Sequence, residues 1–113
     1  MGQTVVSKKQ NRGSSTGSID EWRVKIDELD KRLVELLNER ARYADEIGKI
    51  KEMLGLEAYS PQREQEVLRN VLGANKGPLS DPALRRLFER IIDESRKLER
   101  EAMIERKRPS SQR

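Results

Sequence analysis

The chain contains no cysteine and no histidine. The first absence rules out a disulfide framework and thiolate chemistry. The second rules out histidine metal sites, histidine general bases and Ser-His-Asp triads. Aromatic residues make up 4% of the sequence, which leaves little with which to stack nucleic-acid bases. No apolar run approaches the length needed to span a bilayer. No stretch alternates apolar and polar residues with a period of two, so no sheet is expected. What remains is a 113-residue chain with 34% apolar and 39% charged residues, the balance of long amphipathic helices with wetted outer faces. One small domain fits this length, and a chain this small has difficulty burying enough surface alone, so association with a second copy is expected.

The net charge of +4 is unevenly distributed. Residues 1–17 carry Lys8, Lys9 and Arg12 with no acid, and residues 106–113 carry Arg106, Lys107, Arg108 and Arg113 with no acid. The segment between them holds 17 basic and 20 acidic residues and is slightly negative. Residues 1–18 and 106–113 are therefore expected to be disordered basic tails flanking a helical domain at 19–105. A basic tail can touch nucleic acid or anionic lipid, but with an acidic folded part neither nucleic acid nor a membrane is an expected partner. The N-terminal residues lack an apolar core of the signal-peptide kind, and the expected location is the cytoplasm.

Three helices are legible, in the order long, short, long. The first starts near Ser18 to Asp20, and its apolar stripe runs from Ile19 and Trp22 to Leu54. Gly48 lies within it, where a small residue favours close approach of a neighbour or a ligand, and Gly55 is its expected stop. Ser60-Pro61 opens the second helix, with serine as N-cap and proline at the first helical position. Gly73 to Pro78 breaks that helix, and Ser80-Asp81-Pro82 opens the third by the same logic. The stripe of the third helix passes through Leu84, Leu87, Phe88, Ile91, Ile92, Ser95, Leu98 and Ala102, and fraying is expected after Met103.

Position 40 is out of place. The first helix repeats an apolar residue every three or four positions, Ile26, Leu29, Leu33 and Leu36 and then Tyr43, Ile47, Ile50 and Leu54, and the seam position between them holds Arg40. A guanidinium in a helical seam is costly unless it snorkels to solvent or an anion meets it. Lys51 follows eleven residues later, within about 20° of Arg40 on the helix surface and about 16 Å along the axis. Two cations on one stripe favour a small anion held between helices. Arg23 lies about 25 Å from Arg40 along the same axis, out of reach of such a ligand within one chain. It joins that site only from a second copy, and a two-fold pairing then makes two equivalent sites. The third helix adds Ser95 and Glu99 on one face, and the second adds Arg63 and Glu64 in its first turn, where Glu64 also suits the helix dipole.

With these residues in hand, the segment Ile19 to Ala102 resembles the all-helical class of chorismate mutases. The similarity runs through Trp22-Arg23-Val24-Lys25-Ile26-Asp27-Glu28-Leu29-Asp30, Leu36-Leu37-Asn38-Glu39-Arg40 and Ile47-Gly48-Lys49-Ile50-Lys51. It continues through Ser60-Pro61-Gln62-Arg63-Glu64 and Phe88-Glu89-Arg90-Ile91-Ile92-Asp93-Glu94-Ser95, and covers about three quarters of the chain. The resemblance implies an all-α, intertwined homodimer of three-helix chains and the rearrangement of chorismate to prephenate in aromatic amino-acid biosynthesis, the shikimate route. It implies that each site takes Arg40, Lys51, Arg63, Glu64, Ser95 and Glu99 from one chain and Arg23 from the other. Lys51, Glu99 and Arg40 would be catalytic, and the whole set would bind the small dianionic substrate. A pericyclic reaction of this kind calls for no metal or cofactor. Two positions vary within the family: Ser60 stands where some members carry aspartate, and Glu99 where some carry glutamine. A carboxylate facing a developing oxyanion helps only as the protonated donor. Two alternatives share these residues: an isochorismate-pyruvate lyase on the same fold, and a non-catalytic helical dimerisation or regulatory module.

Overall fold

The computed structural model describes residues 17–109, in which three helices follow one another and no strand occurs. Residues 1–16 and 110–113, most of the two expected tails, lie outside the described residues. Helix α1 spans Ile19–Leu54, α2 spans Pro61–Gly73 and α3 spans Asp81–Lys107.

Each helix begins on a cap written into the sequence. Ser18, expected in the N-terminal tail, instead caps α1. Its amide donates to Glu21 Oε1 at 2.8 Å while its Oγ accepts from the Glu21 amide at 3.1 Å. This reciprocal pair satisfies two amides that the first turn would leave open. Ser60 Oγ accepts from the Arg63 amide at 3.2 Å with Pro61 following it, and Ser80 Oγ accepts from the Ala83 amide at 3.2 Å with Pro82 two residues on. At the other end of α1, Gly55 takes a φ of +69°, a conformation that glycine adopts without the Cβ penalty. Asn75 organises the connection between α2 and α3. Its side-chain amide donates to Leu79 O at 2.9 Å and to Asp81 Oδ1 at 2.7 Å.

The end of α3 corrects the expected boundary. The helix does not fray after Met103 but continues to Lys107, so residues 106 and 107 belong to it and not to a tail. A tertiary ion pair accounts for the extra turn. Arg106 Nε donates to Glu52 Oε1 at 2.7 Å and its Nη1 to Asp45 Oδ1 at 3.3 Å, which ties the last turn of α3 to α1. Nothing local announces this contact, because its partners lie 54 and 61 residues away.

By compactness the chain divides within α1, between Glu39 and Arg40. The described part of the first unit is the N-terminal portion of α1. Its apolar stripe is exposed: Trp22 at 52%, Leu29 at 51%, Leu33 at 54% and Leu36 at 57%. The second unit holds the rest of α1 with α2 and α3. Its buried apolar side chains are Leu68 of α2 and Ile92 of α3. Gly48 is buried too, yet a Cβ there would meet Glu99 Cγ at 3.9 Å, an ordinary contact. The packing within this chain therefore does not require glycine at that position.

Candidate functional site: a cation-lined cavity

The second unit forms a half-open cavity of about 400 Å³ between its three helices and the connection that precedes α2. From α1 come Arg40, Tyr43, Ala44, Ile47 and Lys51, successive positions on one helical stripe. From residues 58–67 come Ala58, Tyr59, Ser60, Arg63, Glu64 and Val67, and from α3 come Ile92, Ser95, Arg96 and Glu99. Six of the seven residues expected at a common site, Arg40, Lys51, Arg63, Glu64, Ser95 and Glu99, thus line one cavity. Ser60 lines it as well as capping α2. The seventh, Arg23, belongs to the first unit and is not among the lining residues. There it lies 3.9 Å from Asp20, with 73% of its side chain exposed.

The two seam cations are held by neutral acceptors. Arg40 Nη1 donates to Ser95 Oγ at 2.8 Å, and Lys51 Nζ donates to the Ala58 carbonyl at 2.9 Å. Neither forms an ion pair among the described residues. Ser95 therefore interrupts the α3 stripe to orient a guanidinium, and its own O–H remains available as a donor. Lys51 stands in the last turn of α1, where the helix dipole favours a cation. Positive charge oriented by neutral groups, in a half-buried cavity, is suited to an anionic ligand.

The acids of the cavity behave differently from each other. Glu64 is clamped by Arg96, whose Nε lies 3.2 Å from Oε2 and whose Nη2 lies 2.8 Å from Oε1 and 2.7 Å from Oε2. Glu99 has no such clamp, and its carboxyl is pushed above the usual carboxylate range. Burial is the main cause; Lys51 and Arg40 oppose it, while Asp45 and Glu64 reinforce it. Arg63 pairs with Glu66 on its own helix and is largely exposed, so it adds positive field at the rim. Among the described residues no cluster of acids forms a metal-ligand set, and no helix is long and apolar enough to cross a membrane.

Sequence reasoning missed Arg96 and Tyr59. Arg96 is one residue from Ser95 and so steps about 100° off the stripe that singled out Ser95 and Glu99. Its partner Glu64 lies 32 residues away, and no spacing rule connects the two. Tyr59 sits in the connection between helices, where periodicity carries no information, and its ring lies 4.5 Å from the Arg96 guanidinium.

An all-helical domain with a small cavity lined by cations is the class that this fold and site define. The chain belongs to the chorismate mutase type II family, whose sequence profile matches residues 22–100. It is 37% identical over 91 residues to a bifunctional chorismate mutase/prephenate dehydratase of Stutzerimonas stutzeri, a match that covers 76% of this chain and 25% of that protein. The chorismate mutase of Methanocaldococcus jannaschii is 28% identical over 86 residues, covering 75% of this chain and 87% of that one. Among solved structures, form II of the Thermus thermophilus chorismate mutase superposes with a TM-score of 0.71 at 38% identity, covering 73% of this chain and 93% of that one. The Helicobacter pylori chorismate mutase in complex with prephenate also gives 0.71, at 31% identity over 77% of this chain and 94% of that one. The chain spans about a quarter of the length of the bifunctional relatives it matches.

Proposed function

We propose that the chain catalyses the rearrangement of chorismate to prephenate, in the cytoplasm and within aromatic amino-acid biosynthesis, as a homodimer with two shared sites. The observation that carries this reading is the pair Arg40 and Lys51, two cations aimed into one cavity and held there by a hydroxyl and a carbonyl instead of by acids. Membership of the family and the likeness to a chorismate mutase solved with prephenate support it.

The reaction breaks the ether C–O bond and forms a C–C bond within one molecule, so no proton, electron or leaving group is exchanged with the protein. The protein must hold the enolpyruvyl chain over the ring. It must also stabilise negative charge growing on the ether oxygen. Arg40, with Arg23 of a second copy, binds the two carboxylates, because a guanidinium pairs bidentately with a carboxylate. Lys51 is a compact cation for the ether oxygen, Ser95 donates to a carboxylate, and Glu64 accepts from the ring hydroxyl. Arg63 adds positive field. The exposed apolar stripe of α1 supports the dimer, since a 36-residue helix with its stripe in water calls for a second surface to cover it.

The direct test is the absorbance of chorismate, with the product identified. Loss of chorismate with formation of prephenate is expected. A chain that leaves chorismate intact but releases pyruvate from isochorismate, or acts on neither, overturns the proposal.

Glu99 gives the reaction an expected pH dependence. Its carboxyl, already raised by burial, is raised further by a bound dianion. Protonated, it donates to the ether oxygen; ionised, it opposes the charge that develops there. kcat/KM therefore falls as pH rises through the free protein's raised value, kcat falls through the value raised further by the dianion, and Glu99→Gln flattens both profiles. The same group favours the folded state below the ordinary carboxylate range and ceases to do so as pH rises through its folded value. A wild-type kcat/KM that stays level as pH rises from the ordinary carboxylate range into the alkaline range would count against the protonated donor.

A further inference from the structure

We infer that Arg96 is a positioning residue, which acts on the substrate through Glu64 and joins three elements of the cavity wall into one unit. The inference rests on the reading of the cavity as a chorismate site. The guanidinium projects from α3, and its edge meets both oxygens of Glu64 in the first turn of α2. Its face covers the Tyr59 ring in the preceding connection, 4.5 Å from the centroid. Both side chains of the pair are shielded, with 33% of Arg96 and 22% of Glu64 exposed, which sets the pair apart from the solvated i,i+3 and i,i+4 pairs along the helices.

Two consequences follow from this geometry. The first concerns orientation. A carboxylate on a flexible side chain turns freely, whereas one held by two donors on one edge of a planar guanidinium keeps a fixed plane. The lone pairs left over then point in set directions and can accept a ligand hydroxyl. The second concerns charge. A cavity that receives a dianion is ill served by an uncompensated carboxylate in its wall, and Arg96 supplies the compensation in place. A lysine reproduces the charge without the fork or the flat face over Tyr59. A glutamine reproduces neither.

The test is a double-mutant cycle on the full chain, with chorismate turnover as the readout. Arg96→Gln is expected to raise KM about tenfold and lower kcat, because Glu64 is released and unneutralised. Arg96→Lys is expected to bring KM back near the wild-type value while kcat stays low. In a Glu64→Gln background, replacing Arg96 should change either constant by less than about twofold, since the group it acts through is gone. Thermal midpoints are recorded for each variant; if Arg96→Gln does not fold, the cycle is run with Arg96→Lys. Additive effects of the two substitutions, or an Arg96→Lys enzyme with wild-type kcat, overturn the inference while leaving the proposed function intact. A wild-type chain that does not turn over chorismate overturns both.

Discussion

Replacing Lys51 with alanine is expected to lower kcat/KM for chorismate by a factor of about a thousand, with most of the loss in kcat. The side chain is positioned for one task. It stands in the last turn of α1, lines the cavity, and bonds to the Ala58 carbonyl without an acidic partner among the described residues. A cation without an acidic partner is available to an anion entering the cavity. In the ground state the ether oxygen is neutral. In the transition state it carries developing charge, so in the proposed site the interaction with Lys51 would strengthen as the bond breaks, and an interaction made chiefly in the transition state appears in kcat. Arg63→Ala, which removes an exposed rim cation already paired with Glu66, is the internal comparison, with a much smaller loss. Steady-state kinetics on both variants, with circular dichroism to show that each is helical, decides the matter. A Lys51→Ala enzyme within about tenfold of wild type would remove Lys51 from the chemistry.

Mixing two inactive enzymes is expected to restore activity. If Arg23 serves the site of the other chain, Arg23→Ala damages that chain's site while Arg40→Ala damages its own. A heterodimer of the two then has one site with both lesions and one with neither. Equal amounts, refolded together, make heterodimers half of the population, each with one intact site, so about a quarter of wild-type activity returns. Arg23 is suited to this role because it is exposed and only loosely paired, 3.9 Å from Asp20 on the same helix. Differently tagged chains show by tandem purification that heterodimers have formed. Heterodimers without activity would mean that the sites are not shared.

Much of the helical framework was legible in the sequence because its boundaries are set by local chemistry. A serine with proline one or two residues on satisfies an amide within a single turn, and the caps at Ser60 and Ser80 use only such neighbours; the pairing of Ser18 with Glu21 is as local, yet Ser18 was expected in the tail. The end of α3 was not legible, because Arg106 finds Glu52 and Asp45 only after the chain has folded back. The cavity divides in the same way. Arg40, Lys51, Ser95 and Glu99 declare themselves as polar or charged residues on apolar stripes, and helical periodicity aligns them before any fold is known. Arg96 and Tyr59 sit off any stripe, and their roles depend on the distance between α3 and the start of α2. Burial of Glu99 is likewise a property of packing, and the sequence offered only the choice of a carboxylate at that position.

The small number of buried apolar side chains has a consequence for how such a protein behaves in a cell. Among the described residues Leu68 and Ile92 make a thin core, and most of the large apolar residues of α1 face outward. In the proposed dimer that surface is covered only when two copies meet, so folding and assembly become one equilibrium governed by mass action. Dilution then acts as a denaturant. For such a dimer, activity per molecule would rise with the amount of protein present, and a modest drop in expression would remove a disproportionate share of the catalyst.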